Sequence, residues 1–523
     1  MQAYQPPAEF SVPLPALPPA NSGHAGQSPL QLASGLASAA AQSAAQGAAN
    51  VAAQGAANEA GNGAANGTLN GTVNGAVNVA VNVDVAVVGA SVAGLFIAQA
   101  LGRRGYRCAL IGPELSSERT ADGFDSRIFA LSPASWTWIE DQGLGALIDN
   151  SRLASITRMQ LYPQSWAEGA RAKPSEGARA KPSEGALRSE SPRSAHRARP
   201  EWPMLEFDAT REMLVQLAQT VEQSELIHAG RQALAFSGVT RIAASLEQLE
   251  QPDPLRRRRR LILSDGRRVS ARLVLGCDGA QSALRRLAGF REHRHDFGAR
   301  AVVANFACEY PHRSIASQWF TEEGIVALLP LPGYRVSLVW SAPSEVAAAL
   351  VACDPEDLVA RVEERCQTRT GPCALGRLRP LGEAASFELF DLQVDSPVGD
   401  RIVLLADAAH VVHPMAGQGL NLGLGDVAVL NDLLASRAAR HDPGEALLLA
   451  RYRRARREAV QSVALLTRGL HRLMQTSLNP GVEGLTRWAW SGLAKSAVLK
   501  SFFVARATGH GPYTFSHPSG GRP

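Results

Sequence analysis

The foldable part of the chain begins with a strand, helix, strand pattern. Residues 84–88 form a short, continuous apolar run, which is typical of a buried parallel strand. Residues 92–104 then place apolar side chains at helical spacing, and a second apolar run follows at 107–111. This order predicts a βαβ unit, and with it a Rossmann-like α/β domain built around a parallel sheet.

A second pattern occupies the middle of the chain. Residues 299–310 and 334–342 alternate apolar and polar side chains, as antiparallel strands with one covered face do. Residues 261–275 predict a hairpin that turns at residues 264–266. We therefore expect an antiparallel sheet that is interleaved with the α/β domain, followed by helices toward the C-terminus.

Two segments carry too few large apolar residues to form a core. Residues 1–82 are a repeat rich in Ala, Gly and Asn, which predicts a disordered tail, and they lack the charged and apolar regions of a secretory signal. Residues 169–200 contain the octapeptide GARAKPSE twice and then a stretch rich in Ser, Arg and Pro. We expect a disordered surface loop there, because so short a polar repeat cannot bury a core.

The composition and charge of the chain disfavour some classes of function but do not identify one. The 523 residues carry a net charge of +5, and five consecutive arginines stand at 256–260. No aromatic residues alternate with these arginines, so a solvated loop is favoured over a nucleic-acid site. The six cysteines form no CxxC pair, which favours reduced structural thiols in a cytosolic protein. No apolar run reaches the length of a transmembrane helix.

The first strand ends in a glycine-rich turn. Gly89, Ser91 and Gly94 occupy the three fixed positions of the G-x-G-x-x-G pattern, with serine in the middle. In that pattern the first glycine makes the tight turn, the middle position admits a pyrophosphate, and the third glycine packs helix on strand. The helix N-terminus attracts the phosphate, and the Ser91 hydroxyl is a further candidate to bond it. Such turns also occur without a nucleotide, so the pattern favours dinucleotide binding without establishing it.

The acidic residue expected at the end of the second strand is missing. In dinucleotide-binding domains this side chain holds the ribose hydroxyls. Gly112 occupies the position here, and Glu114 lies two residues further along. Either Glu114 reaches back to the ribose, or the ribose is held in another way.

Two later segments also place an aspartate after an apolar strand. Asp278 follows the run LVLGC and precedes Arg285 on a starting helix, and Asp407 follows the run RIVLLA. Residues 414–419, PMAGQG, then form a bare loop before a helix that starts near Leu420. Glycines in such a loop let main-chain amides approach a ligand closely. The alternative for Asp407 is that it only caps a helix.

The histidines of the last segment have a spacing that metal ligands also use. His410 and His413 stand three residues apart. No third ligand accompanies them at a suitable spacing, so we predict no metal site.

Taken in this order, the three segments resemble the three sequence fingerprints of the class A flavoprotein aromatic hydroxylases. Further stretches are similar to the ubiquinone-biosynthesis flavin hydroxylases within that class: DSRIFALSPAS from Asp125, FTEEGIVALLPLPGYRVSLVWS from Phe320, and LTRGLHRLM and LKSFFVARATG near the end. The resemblance extends from residue 84 to about residue 509, and only the tail and the repeat insert lie outside it.

The resemblance implies a division into domains and a set of contacts with FAD. It assigns residues 83–168, 201–298 and 386–440 to FAD binding, 299–385 to the substrate-domain sheet, 441–510 to C-terminal helices and 511–523 to a tail. The residues expected to bind FAD are Gly89, Ser91, Gly94, Glu114, Arg127, Asp278, Asp407, Pro414, Gly417, Gln418, Gly419, Leu420 and Asn421.

The resemblance also implies a monooxygenase reaction. NAD(P)H or another electron donor reduces FAD, molecular oxygen adds to the flavin C4a carbon, and the hydroperoxide delivers a hydroxyl group to an aromatic ring. The substrate of the family is a polyprenylated phenol of ubiquinone biosynthesis. The sequence identifies no residue as a catalytic acid or base.

Alternatives remain for the substrate, the activity and the location. A hydroxylase of small soluble phenols, or a non-catalytic accessory subunit of a quinone-biosynthesis complex, fits the same motifs. Residues 486–506 mix Trp and Phe with Arg and Lys, which suits a helix on the inner face of the membrane or a helix packed on the FAD domain. We expect a cytoplasmic protein in either case.

Two positions depart from the family pattern. Gly112 stands where an acidic residue is usual, and Ala406 stands where glycine is usual. A lost ribose contact weakens binding by about 1–3 kcal/mol when a buried hydroxyl is left unpaired. We therefore expect Gly112→Glu to tighten FAD binding if Glu114 does not already serve.

Overall fold

The computed structural model of the chain describes residues 81–113, 124–162, 204–252, 255–367, 374–412, 418–435 and 442–476. The strands are β1 (Val81–Val88), β2 (Cys108–Ile111), β3 (Ile128–Leu131), β4 (Ala154–Ile156), β5 (Arg158–Tyr162), β6 (Leu205–Asp208), β7 (Ala218–Glu222), β8 (Thr240–Ile242), β9 (Leu246–Leu249), β10 (Arg259–Leu263), β11 (Arg268–Gly276), β12 (Glu292–Cys308), β13 (Ile315–Thr321), β14 (Gly324–Leu331), β15 (Arg335–Pro343), β16 (Leu378–Pro380), β17 (Ala385–Val394), β18 (Val398–Gly399), β19 (Ile402–Leu404) and β20 (His410–Val411). The α-helices are α1 (Val92–Arg103), α2 (Pro133–Asp141), α3 (Gln223–Leu234), α4 (Ala283–Leu287), α5 (Ser344–Ala352), α6 (Pro355–Arg365), α7 (Gln418–Ala435) and α8 (Ala446–Thr476).

The first sheet is the predicted Rossmann-like sheet. Its parallel strands lie in the order β19-β11-β1-β2-β8, while β18 pairs antiparallel with β19 and the β9–β10 hairpin pairs with β11. The βαβ unit of β1, α1 and β2 is confirmed to within a few residues at each end. The β10–β11 hairpin turns at residues 264–266, where Gly266 has a φ of +82°.

Helices and strands cover both faces of this sheet, which explains why the second half of β1, residues 85–88, is continuously apolar and buried. On one face Phe96 of α1, Leu226 of α3 and Leu430 of α7 pack into a single core. On the other face Ile111 of β2 packs with Leu284 of α4. The parallel sheet is therefore the rigid base on which the loops at its strand ends stand.

The second sheet is mostly antiparallel and has nine strands. Their order is β20-β17-β12-β15-β14-β13-β5-β6, with β16 also paired to β12. One face carries Phe306 and Trp340, which pack against Leu358 of α6 and Leu350 of α5. The sheet extends beyond the predicted range of residues 299–385, because β5 and β6 pair at one edge and β17 and β20 at the other.

Two smaller features complete the fold. A three-stranded sheet, β3-β7-β4, lies within the region predicted to bind FAD. The long helix α8 packs on α7 through Val463 and Ala464, which contact Leu422. Among the described helices, none combines the length and the hydropathy needed to cross a bilayer.

Candidate functional site

The three glycine- and aspartate-containing segments meet at one edge of the parallel sheet. β1 pairs with β11 in register from Val81 opposite Val269 to Val88 opposite Gly276, and β19 pairs with the end of β11. The three segments follow the carboxyl ends of these neighbouring strands. This is the edge at which open α/β sheets bind their ligands.

The first turn is closed by direct contact between main chains. Gly89 has a φ of +106°, and a Cβ atom there would lie 2.3 Å from the carbonyl of Cys277. A Cβ atom at Gly94 would lie 1.9 Å from the Gly89 oxygen. Both glycines are therefore required by the packing of the turn itself.

Ser91 joins this turn to the end of β11. Its hydroxyl donates to the Cys277 carbonyl oxygen over 2.8 Å and accepts from the Gly94 amide over 3.3 Å, which caps α1. The single hydroxyl hydrogen is thus used inside the protein. The sequence-based expectation that Ser91 donates to a phosphate oxygen therefore does not match this geometry, and the amides at the N-terminus of α1 remain the fitting anion donors.

Asp278, at the end of β11, caps a helix. Its carboxylate accepts from the Ser282 hydroxyl over 2.6 Å and from the Leu284 amide over 3.0 Å. The buried Arg285 then donates to the Ala408 carbonyl over 3.0 Å. The structure thus shows Asp278 organising α4, from which Arg285 reaches the segment that carries Asp407.

Asp407 follows β19 in a recess lined by charged groups. Its side chain is open to solvent on one side while protein atoms surround the rest of it. Burial is the largest influence on the carboxyl and raises its pKa, although His410 and Arg127 attract the charged form. Asp407 and Arg127, which are 280 residues apart in the sequence, therefore lie close enough to attract each other electrostatically.

Arg127 lies between the two sheets. Its guanidinium stands 4.8 Å from the centre of the Phe387 ring in β17, and it donates to the Gln223 side chain over 3.2 Å. Asn305 of β12 donates to the carbonyl of Asp125 over 3.0 Å, which fixes the segment just before Arg127. The predicted arginine of the site is therefore held against the open face of the antiparallel sheet.

That open face is only partly covered, and its apolar side chains stand beside the polar Asn305 and Ser337. Val303, Val339 and Ala327 lie side by side on β12, β15 and β14. Val339 and Ala327 are half-buried, as is Phe387 on the same face. An aromatic substrate placed between this face and the loops of the parallel sheet would contact hydrocarbon on one side and the predicted FAD residues on the other.

Helix α7 presents its first turn to the same region. It begins at Gln418, two residues before the predicted start, and no atom of the described residues lies within 4 Å of the position that a Cβ would take at Gly419. Leu420 is half-buried. Asn421 accepts from the Ser132 amide over 2.8 Å and donates to the Ala130 carbonyl over 2.9 Å, so the structure shows it tying α7 to β3.

Gly112 has a structural reason to be glycine. A Cβ atom at this position would lie 2.9 Å from the Ala90 amide nitrogen, inside the dinucleotide turn. An acidic side chain at 112 would therefore push against the main chain that has to receive the phosphates. The geometry therefore predicts that Gly112→Glu weakens FAD binding, which is the opposite of the effect that the sequence pattern suggested.

Several predicted residues lie outside the described part of the chain. They are Glu114, His413, Pro414 and Gly417, together with Cys373 and residues 486–506. His410 is described, and its Nε2 atom lies 2.6 Å from Asp426. Within the described ranges, no group of three or more possible metal ligands occurs.

Asp426 is the centre of a buried network of charged side chains near the site. Asp426 accepts from the Ala406 amide over 2.8 Å, from His410 over 2.6 Å and from Arg456 over 2.6 Å. Burial on its own would raise the pKa of this carboxyl. Attraction to His410 and Arg456, together with the hydrogen bonds that the carboxyl accepts, outweighs burial, so the pKa of Asp426 lies below its usual value. Asp426 is therefore held as a carboxylate.

Arg456 was not anticipated from the sequence, although a signal was present. It occupies one position of the buried stripe Leu449, Tyr452, Arg456, Ala459 and Val463, whose spacing alternates between three and four residues. Its neighbours in the arginine-rich run of α8 are mostly exposed. An arginine on the apolar stripe of a helix predicts a buried acidic partner.

The run of five arginines differs from the predicted solvated loop. Arg256 and Arg257 are exposed and line a cleft of about 610 Å³ with Arg272 and Arg401. Arg258, by contrast, donates to the carbonyls of Val83 and Ser270, and Arg259 is buried against the carbonyls of Asp400 and Glu250. The second half of the run holds strand ends together, because guanidinium groups satisfy several carbonyls at once.

The described residues fit a flavin dinucleotide. The closed turn at Gly89, the N-terminus of α1 and Asp407 lie along one edge of the sheet. Among the described residues, none fills the space beside Gly419 at the start of α7. A helix N-terminus and main-chain amides stabilise the negative charge of a phosphate or of a reduced flavin ring.

Comparison with known proteins agrees with this site. A family described as FAD binding domain matches residues 82–467. The 3-demethoxyubiquinol 3-hydroxylase of Escherichia coli is 30% identical over 355 residues, covering 67% of this chain and 79% of that protein. A ubiquinone hydroxylase of Rhodospirillum rubrum is 38% identical over 248 residues, covering 47% of this chain and 56% of that protein, so the match spans little more than half of that relative.

Solved structures share the fold at lower identity. The p-nitrophenol 4-monooxygenase of Pseudomonas putida superposes with a TM-score of 0.60 at 15% identity, covering 82% of this chain and 99% of that one. HpxO of Klebsiella pneumoniae, in complex with FAD and uric acid, superposes with a TM-score of 0.56 at 18% identity, covering 81% and 96%.

Proposed function

Because this chain belongs to the FAD-binding family that includes the ubiquinone-biosynthesis hydroxylases, we propose that it hydroxylates the aromatic ring of a polyprenylated ubiquinone precursor. FAD is its cofactor, and the reaction is that of an aromatic monooxygenase. The observation that supports the substrate class best is the half-buried apolar face of Val339, Ala327 and Phe387 opposite the predicted FAD residues.

FAD, when bound, supplies the activation of molecular oxygen, with NAD(P)H or another donor providing two electrons. The residues of this chain supply binding and orientation. The amides at the start of α1 would hold the pyrophosphate, Asp407 would accept from a ribityl hydroxyl, and the first turn of α7 would stabilise negative charge on the flavin ring.

The antiparallel sheet orients the substrate and limits water. Val303, Val339 and Ala327 offer a flat hydrocarbon surface for a ring, and Phe387 with Arg127 borders it. Excluding water from this space protects the activated oxygen from unproductive reaction. We assign no catalytic acid or base, because no described side chain at this face has the required position and partner.

The proposal is tested by the quinones that accumulate in a deletion strain. Quinones extracted with detergent are analysed by mass spectrometry after deletion of the gene and after complementation with the wild type or with Asp407→Ala. We expect a ring-hydroxylation precursor to accumulate in the deletion strain and in the Asp407→Ala strain, and to disappear with the wild type. An unchanged quinone profile after deletion would instead favour a small soluble phenol as substrate.

The same strains separate an enzyme from an accessory subunit. Asp407→Ala is expected to leave the protein in any quinone-biosynthesis complex while removing turnover. Full complementation by Asp407→Ala would show that the chain acts without its FAD site.

Contact of residues 486–506 with the inner face of the membrane belongs to this proposal as well, and liposome flotation of the chain truncated after residue 485 tests it.

A further inference from the structure

The segment between β19 and Asp407 has an unusual main-chain conformation. Ala406 has a φ of +51°, in the left-handed region that residues other than glycine seldom adopt. Its methyl group packs on α7, where a Cβ atom at Gly423 would lie 2.7 Å from it. Something other than the preference of alanine has to hold this conformation.

Asp426 is the group that holds it. Its Oδ2 atom accepts from the Ala406 amide over 2.8 Å and from His410 over 2.6 Å, so it binds the segment on both sides of Asp407. Asp426 is 1% exposed, so water does not compete for these bonds.

Arg456 completes the arrangement from a different helix. Its Nε atom donates to Asp426 Oδ1 over 2.6 Å, and its Nη2 atom donates to the Leu422 carbonyl over 2.9 Å. The guanidinium lies closely against α7, since a Cβ at Gly425 would stand 3.0 Å from it. Helix α8 thereby fixes both the charge and the direction of Asp426.

We propose that Asp426 is a positioning residue for FAD binding. It keeps Ala406 in the left-handed conformation and so aims Asp407 into the recess. Arg456 and His410 hold Asp426 in place. The inference rests on the proposed function, because it takes Asp407 as a ligand of FAD. It also explains how this chain keeps the turn with alanine where glycine would adopt it freely.

A rescue experiment separates positioning from general stability. Full-length apoprotein is titrated with FAD, following flavin fluorescence and the visible circular dichroism of the bound flavin, for wild type, Asp426→Asn and Asp426→Asn with Ala406→Gly. We expect Asp426→Asn to weaken FAD binding by about tenfold or more, the factor that corresponds to about 1.4 kcal/mol. Ala406→Gly should restore it to within about threefold, since glycine needs no help to adopt the turn.

Asp442→Asn is the matched control. Asp442 forms an ion pair with Arg401 over 2.6 Å, and the two side chains are only 12% and 11% exposed. We expect this variant to lower the thermal midpoint and leave the FAD dissociation constant unchanged. If Asp426→Asn does not fold, Arg456→Lys with and without Ala406→Gly replaces it, with the same pattern expected.

Each outcome decides between explanations. Wild-type affinity in Asp426→Asn would overturn the inference, and so would a loss of affinity that Ala406→Gly fails to restore, because Asp426 would then act only by joining helices. A wild-type protein that binds no FAD would overturn the proposed function, and the inference with it.

Discussion

Replacing Ser91 by alanine separates two roles for the middle residue of the dinucleotide turn. The hydroxyl caps α1 through a 3.3 Å bond from Gly94 and donates to the buried Cys277 carbonyl over 2.8 Å. Loss of an N-cap costs about 0.5–2 kcal/mol, and the long bond places this cap at the low end. A buried carbonyl without its donor adds about 1–3 kcal/mol. We expect Ser91→Ala to destabilise the apoprotein by about 2 kcal/mol.

Ser132→Ala provides the comparison. Ser132 caps α2 through a bond of the same 3.3 Å length, and its hydroxyl donates to the Ser135 hydroxyl rather than to a carbonyl of another strand. It should therefore cost only about 1 kcal/mol. Urea denaturation of both apoproteins, followed by far-ultraviolet circular dichroism, measures the difference.

FAD titration completes the test of Ser91. Because its hydrogen is donated to Cys277, Ser91→Ala should change the FAD dissociation constant by less than about threefold. A hydroxyl bonded to a phosphate would instead contribute about 1.5–3 kcal/mol, or more than tenfold in affinity. Unchanged apoprotein stability together with a tenfold loss of FAD affinity would refute the structural role.

Three further outcomes follow from the same geometry. Gly112→Glu should weaken FAD binding by at least about tenfold, since its Cβ would lie 2.9 Å from the Ala90 nitrogen, and tighter binding by apoprotein titration would contradict this. The pKa of Asp407 is raised in the folded state, so the apoprotein loses stability as the pH rises from the ordinary carboxyl pKa to the raised one and stays less stable above it. Because solvent reaches this side chain, the effect should be small: we expect Asp407→Asn to stabilise the apoprotein slightly at neutral pH while weakening FAD binding, and a clear loss of stability in urea would contradict this. Burial raises the pKa of Cys108 to about 12, so this thiol should resist a thiol reagent at pH 8 until the protein unfolds.

The spacing of apolar residues along the chain was sufficient to predict the first βαβ unit of the parallel sheet. The predicted ends of β1, α1 and β2 differ from the observed ends by only a few residues. Each of these elements is a short apolar run or an apolar stripe that a glycine or a charged residue terminates. The order of strand ends, and so the meeting of the three segments, follows from the rule that parallel strands share their carboxyl edge. The pairing of β5 with β13 could not be predicted, because it joins two strands that are separated by more than a hundred residues and carry no shared motif.

The roles of individual polar residues depended on neighbours that are distant in sequence. Asn421 was expected at FAD and holds Ser132 and Ala130, nearly three hundred residues earlier. Gly112 looked like a lost acidic contact, but its closeness to Ala90 exists only in three dimensions. The motif positions thus predicted which segments meet at one edge of the sheet, while the contacts of each side chain could be read only from the fold.

FAD stoichiometry after desalting tests the central claim most directly. The visible absorbance and protein concentration are measured for wild type and for Gly94→Val, whose side chain would clash with the Gly89 oxygen at 1.9 Å or less. We predict about one FAD per wild-type chain once apoprotein is saturated. We predict none in folded Gly94→Val. Folded Gly94→Val that retains FAD as the wild type does would contradict the placement of the cofactor at the carboxyl edge of β1.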